Sequence, residues 1–395
     1  MEKQRIVITG IGVVAPNGIG KDEFWSNSFA GISGIKPITL FDVSKYRCRY
    51  GGEISNFQPS QYLGPKGLRN LDRTTLLALV AAKLAIEDAK LEITDGNRNN
   101  IGVVLGSTMG SVHSISEFDK EGLREGPRYV NPAHFPNTVI NSPASQVAIR
   151  FGLKGLNTTI ATGFTASIDA IGYAVDMLRL GRAKTLLVGG VEELCIQTYV
   201  GFRKLGFLAV AENGLPQTLA DLKGNGTLLG EGAAFFVLQR LEQAQESRSS
   251  ILADVAGYGT YFDPHPESRF SFSETGPVHA VREALKDAGL SARDVNCWAG
   301  YGNATKVFDE VESGVQRQVF SGHASPAQMQ LSNLIGETFS ASGALRMALL
   351  LGRLGYGIVA GYSPMGSSSA LALRVGQATS PRPVDQGARR ETASR

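Results

Sequence analysis

Cysteine is scarce in this chain. Cys48, Cys195 and Cys297 are too few, and too unevenly spaced, to form a disulfide framework, as expected in a reducing compartment. No apolar run is long enough to span a bilayer. The opening MEKQRIVITG passes straight from charged residues into a β-rich segment, without the apolar stretch and small-residue cleavage site of a signal peptide. A cytoplasmic protein with no membrane partner is expected. Net charge is also small, +3 over 395 residues, and no Lys/Arg cluster with interleaved aromatics occurs, which excludes a dedicated nucleic-acid binder. The five histidines show no paired spacing, so no metal is expected. Gly10-x-Gly12 lacks the third glycine and the acidic residue of a dinucleotide loop, so no cofactor is expected either.

What the chain does have is glycine, 47 residues of it, much of it closing apolar runs where tight strand-to-helix turns need backbone freedom or close approach. Two such stretches resemble each other. RIVITGIGVV (Arg5 to Val14) and ILADVAGYGT (Ile251 to Thr260) are both apolar and both contain Gly-x-Gly. Each is followed by a helical pattern, LDRTTLLALVAAKLAIEDAKL and VHAVREALKDAGL, with apolar residues at i, i+3, i+4 and i+7. A strand then follows each, NIGVVLGS and VNCWAGYG. This predicts an α/β protein of two pseudo-duplicated halves, residues 1–245 and 246–375, joined through the polar RLEQAQESRSS. KTLLVGGVEE, AAFFVLQR, GIVAGYS and SALALRV read as strands buried on both faces. Residues 376–395, rich in Pro, Gly, Arg and Ser, read as a disordered tail.

Taken together, these segments resemble the condensing enzymes, specifically the elongating β-ketoacyl-ACP synthases and the ketosynthase subunits of type II polyketide systems. RIVITGIGVVAPNGIGKDEFWSNSFAGISGIKPITLFD, DRTTLLALVAAKLAIEDA, FGLKGLNTTI, AKTLLVGGVEE and LLGEGAAFFVL all match, so the resemblance covers nearly the whole chain except the tail. It implies a thiolase-like, five-layered αβαβα fold that dimerises through a shared central sheet. It also implies a site: a cysteine at a helix N-terminus, where the helix's positive end favours the thiolate, with two histidines and a lysine. The histidines stabilise the enolate and oxyanion formed as a malonyl thioester loses CO2 and attacks the acyl-thioester.

At each of those positions this chain carries something else. In Thr162-Gly163-Phe164-Thr165-Ala166-Ser167, Phe164 stands where the family has its cysteine. A phenyl ring has no lone pair with which to attack a thioester. In Tyr301-Gly302-Asn303-Ala304-Thr305, Tyr301 replaces the first histidine and, with a pKa near 10, makes a poor base. Ser332 stands for the lysine and Glu337 for the second histidine. A carboxylate about 4 Å from a forming enolate would oppose it by about 4 kcal/mol at an effective dielectric near 20. Pro364, in the segment matching the glycine-rich gating loop, removes a backbone donor. No catalytic residue is therefore assigned.

A ketosynthase frame without its chemistry implies a binding role. The resemblance supplies one: the chain-length-factor subunit, which pairs as a heterodimer with a catalytic ketosynthase and shapes the tunnel for a chain carried on acyl carrier protein. The aromatic-polyketide examples have glutamine in place of the cysteine, so Phe164 departs from them. By the same resemblance the tunnel lining comes from Gly106 to Ser114 and Asn131 to Val139, with Met109, Val112, His113 and Phe135, together with Phe164, as candidates. Against these stand plainer roles: Phe164 as filler of an unused pocket, Met109 and Phe135 as core, His113 as a surface or interface residue. Cys195 and Cys297 read as core residues, and Asp309 and Glu312 as supports of the loop after Tyr301. Two other functions stay open. One is an acyl-thioester decarboxylase or hydrolase built from Tyr301, Glu337 and Asp309; the other is a carrier-protein or lipid-binding module with no synthase partner.

Overall fold

The computed structural model describes residues 4–209, 226–264 and 273–376. Nearly all of the expected tail lies outside the described residues. The first half runs β1 (Ile6–Ala15), α1 (Arg73–Asp88), β2 (Ile101–Gly106), α2 (Val112–Glu125), α3 (Ser142–Phe151), β3 (Asn157–Ile160), α4 (Ala166–Arg179), β4 (Thr185–Glu192), α5 (Ile196–Lys204) and β5 (Gly232–Arg240). A short helix, α6 (Leu241–Glu246), occupies the join. The second half runs β6 (Ala253–Phe262), α7 (Thr275–Ala288), β7 (Cys297–Ala299), α8 (Lys306–Val319), β8 (Ala327–Gln328), α9 (Ser342–Leu350), β9 (Gly355–Tyr362) and β10 (Ser367–Val375).

The strands follow one path, β8-β7-β9-β10-β6-β1-β5-β4-β2-β3. Numbered within its own half, each set of five strands has the order 3-2-4-5-1, so the duplication seen in the sequence is a duplication of topology. In both halves strands 3, 2 and 4 of that order run parallel to one another, and strand 5 pairs antiparallel with both 4 and 1. The halves join where β1 pairs with β6 through Ile6–Val255, Val7–Asp254 and Ile8–Ala253.

Layering follows from burial. All ten residues of β1 are buried, as a strand covered on both faces requires. Helix α1 covers the outer face of the first half and α7 that of the second, while α4 and α9 lie between the halves and touch both. The result is the expected five-layered αβαβα arrangement. The Gly-x-Gly motifs have one cause in both halves. A Cβ on Gly10 or Gly12 would come within 2.5 Å of Ala85 O or 2.0 Å of Ala81 O, and one on Gly257 or Gly259 within 2.2 Å of Ala284 O or Ala280 O. Glycine lets the outer helix lie directly on its strand.

Candidate functional site

Strand β3 ends in a tight turn, Gly163–Thr165, that leads into α4. Gly163 has φ +76°, and a Cβ there would meet Ser363 Oγ at 2.7 Å. The turn thus places residue 164 at the N-terminus of the central helix, facing the second half. The equivalent turn of the second half, Phe339–Ala341, leads into α9 and faces back toward it. Where they meet, Phe164 is 4% exposed and its ring lies 5.3 Å from Phe339, 6.0 Å from Tyr301, 6.2 Å from Phe308 and 6.3 Å from Phe202. Phe202 stacks on Phe339 at 4.4 Å, and Tyr362 stacks on Phe308 at 5.7 Å. The position is a node of packed rings.

Behind the rings lies a closed polar set. Glu337 is buried and accepts from Tyr301 OH (2.7 Å), Asn303 Nδ2 (2.9 Å) and the Phe339 amide (2.7 Å). Burial, and then the charge of Glu337, push the Tyr301 phenol well above its ordinary pKa, so it keeps its proton and serves as a fixed donor. Ser332 Oγ donates to Gly302 O (2.7 Å) and accepts from Arg346 Nη2 (3.1 Å). The Arg346 guanidinium lies 4.4 Å over the Tyr301 ring and is 1% exposed, with Nη1 unpaired. Glu337 and Arg346 therefore sit at the hydroxyl end and the face of one tyrosine, a buried charge pair bridged by a ring.

The loop carrying Tyr301 is pinned by α8. Glu312 Oε2 accepts from the Tyr301 amide (2.9 Å) and Tyr362 OH (2.9 Å), and Asp309 Oδ1 from the amides of Asn303 (3.1 Å) and Ala304 (3.2 Å). Tyr301 and Glu337 are in contact, whereas Asp309 is committed to this loop. Pro364 lies in the turn joining β9 to β10, closed by Gly366 N to Ser363 O at 2.9 Å. The cysteines offer no substitute nucleophile among the described residues: all three are buried, and burial raises each thiol, Cys195 to about 11.

The tunnel candidates separate. Met109 is half-buried and packs against the ring cluster. Thr108 Oγ1 donates to Gly163 O (2.6 Å), and Glu192 Oε1 accepts from the amides of Thr108 (2.6 Å) and Met109 (3.0 Å) and from Ser340 Oγ. Val112 is half-buried at the start of α2; His113 is exposed, facing Gln197 Oε1 at 3.2 Å; Phe135 is 59% exposed, its ring 6.1 Å from Phe118. Within this chain only Met109 approaches the rings. Asn303, Phe339 and Arg346 are site residues that the sequence reading missed. Arg346 had a signal: one charge in the apolar run SGALRMALLL.

Residues 3–244 match the family described as Beta-ketoacyl synthase, N-terminal domain, and residues 252–363 its C-terminal domain. The 3-oxoacyl-(acyl-carrier-protein) synthase 2 of Coxiella burnetii is 32% identical over 357 residues, covering 88% of this chain and 85% of that protein. Its namesake from Synechocystis sp. is 31% identical over 356 residues, covering 87% and 84%. Among solved structures, the ishigamide ketosynthase/chain length factor superposes with a TM-score of 0.85 at 25% identity, covering 95% of this chain and 100% of that one. A type II PKS acyl-carrier protein in complex with its ketosynthase bound to the hexaketide gives 0.85 at 24%, with the same coverage, a likeness of fold.

Proposed function

The chain belongs to the beta-ketoacyl synthase family, and from that premise we propose that it is a non-catalytic ketosynthase-like subunit. It pairs with a cysteine-bearing ketosynthase and shapes the acyl tunnel of that partner in type II polyketide biosynthesis, as a chain length factor does. The observation that carries this reading is Phe164, a hydrocarbon ring packed among four other rings at the helix N-terminus where an acyl group would have to be accepted. The relatives are named as synthases, but a synthase needs a nucleophile at that point.

Two further features support a binding role. Strand β3 lies at the end of the sheet, with an edge open to a further strand. Elements beside it expose apolar side chains: Phe135, Val139, Ile140 and Ile149, the last 71% exposed. In this reading Phe135 and His113 meet the partner, and Met109 with Phe164 limits how deep the acyl chain on its carrier protein can reach. A decarboxylase or hydrolase built on Tyr301 and Glu337 is disfavoured, because the phenol is committed to the carboxylate and held above its ordinary pKa.

Co-expression with a cysteine-bearing ketosynthase from the same gene neighbourhood tests the proposal. A stable one-to-one complex is the expected result. A self-sufficient homodimer that ignores that partner contradicts it.

A further inference from the structure

The parallel strands β2 and β4 end at the candidate site, at Gly106 and Glu192; their other ends, Ile101 and Thr185, open onto a cleft of about 560 Å³. At about 3.3 Å per residue, the length of β4 puts the two roughly 25 Å apart.

Its floor is built from buried polar side chains. Gln239 is 4% exposed: Oε1 accepts from Thr9 Oγ1 (3.1 Å) and Nε2 donates to Thr185 Oγ1 (3.1 Å). An amide nitrogen carries two hydrogens and a hydroxyl one, so the Gln239–Thr185 pair has donors left over. Three cations from three separate segments stand around that floor: Lys90, Lys184 and Arg248. None has a side-chain hydrogen bond or ion pair among the described residues. The carboxylates are fewer. Asp88 is committed to Lys21 Nζ and the Ile11 amide (3.0 Å), which leaves Glu92 at the rim.

Two of the cations sit on costly backbone. Lys90 has φ +50° and Arg248 φ +53°, just beyond the ends of α1 and α6, a left-handed region disfavoured for an L-residue and usually given to glycine. A cation near a helix C-terminus also complements the helix dipole. That explains each residue singly; it does not explain Lys184, which precedes a strand, or why all three line the cleft that Gln239 and Thr185 also line.

We infer that this cleft is a binding site for a small molecule bearing a phosphate group, held by Lys90, Lys184 and Arg248 over the Gln239–Thr185 donor pair. Its volume falls within the range of small-molecule sites. The inference is independent of the partner-subunit reading.

Calorimetric titration of the full chain with inorganic pyrophosphate, against chloride at matched ionic strength, tests it. Saturable binding of pyrophosphate but not chloride is expected. Lys184→Glu and Arg248→Glu should each weaken it by about tenfold or more while keeping the parent melting temperature. Arg293→Glu makes the same charge change on an exposed residue outside the cleft and should leave binding within about twofold. Absence of saturable binding, equal binding of chloride, or equal weakening by Arg293→Glu would overturn the assignment.

Discussion

On one side of the Gly163–Thr165 turn the contacts are hydrogen bonds, and on the other they are rings. The polar side ties Gly163 O to Thr108, ties Thr108, Met109 and Ser340 to Glu192, and sets Asp169 to accept from Thr162, Thr165 (2.9 Å), Tyr258 (2.8 Å) and Ser369. The ring side is Phe164 with Phe202, Phe308, Phe339 and Tyr301. The first side fixes where the helix starts, through hydrogen bonds that use no atom of residue 164's ring. The second decides what stands at that start. The position of the turn and the group at its tip therefore rest on different residues.

If that division is right, variants on the ring side should follow volume. Phe164→Ala leaves a cavity among four rings and should cost about 3–5 kcal/mol in denaturant unfolding. Phe164→Leu should cost less than half of that. Equal losses for the two would break the comparison. Next in size is the boundary between the sides. Tyr301→Phe keeps the ring stack but removes one of the three donors to Glu337, and should cost about 1–3 kcal/mol by the same measurement.

A pH-dependent effect tests the polar side. Burial raises Glu192 to about 7 and Glu193 to about 8, with the charge of Asp72 adding to the latter. Both lie above the ordinary carboxyl value of 4.5, so the folded state keeps protons that the unfolded chain has released. Stability is then lost as pH rises from that value through about 7 to 8, and the loss is complete above it. Glu193→Gln cannot ionise. Its melting temperature, measured against the parent's across that window, should improve as pH increases. A constant difference would show that Glu193 does not titrate there.

Much of this was legible in the sequence, for physical reasons. Strands covered on both faces must be continuously apolar, so β1, β4, β5, β9 and β10 stood out, and the paired Gly-x-Gly motifs marked where a helix lies on a strand. Phe164, Tyr301, Ser332 and Glu337 stood out because, by the resemblance, each occupies a position where the family carries a residue of specific chemistry. The ring node was not, since Phe202, Phe308, Phe339 and Tyr362 come from four distant segments and each alone reads as core. Arg346 was missed because a helix buried on every side hides a charge met, among the described residues, by Tyr301 and Ser332. Val112, His113 and Phe135 were chosen with Met109 as one lining; in the structure Val112 is half-buried at the start of α2, while His113 and Phe135 are exposed, the one on α2 and the other in the separate Pro132–Thr138 turn.

On the proposed reading, this polypeptide cannot accept an acyl group. Intact-mass measurement of the isolated full chain after incubation with an acyl-thioester of acyl carrier protein and a malonyl-thioester addresses it directly. An unchanged mass and no condensed product are expected. A covalent acyl adduct, followed by its extension without any partner, would contradict that reading.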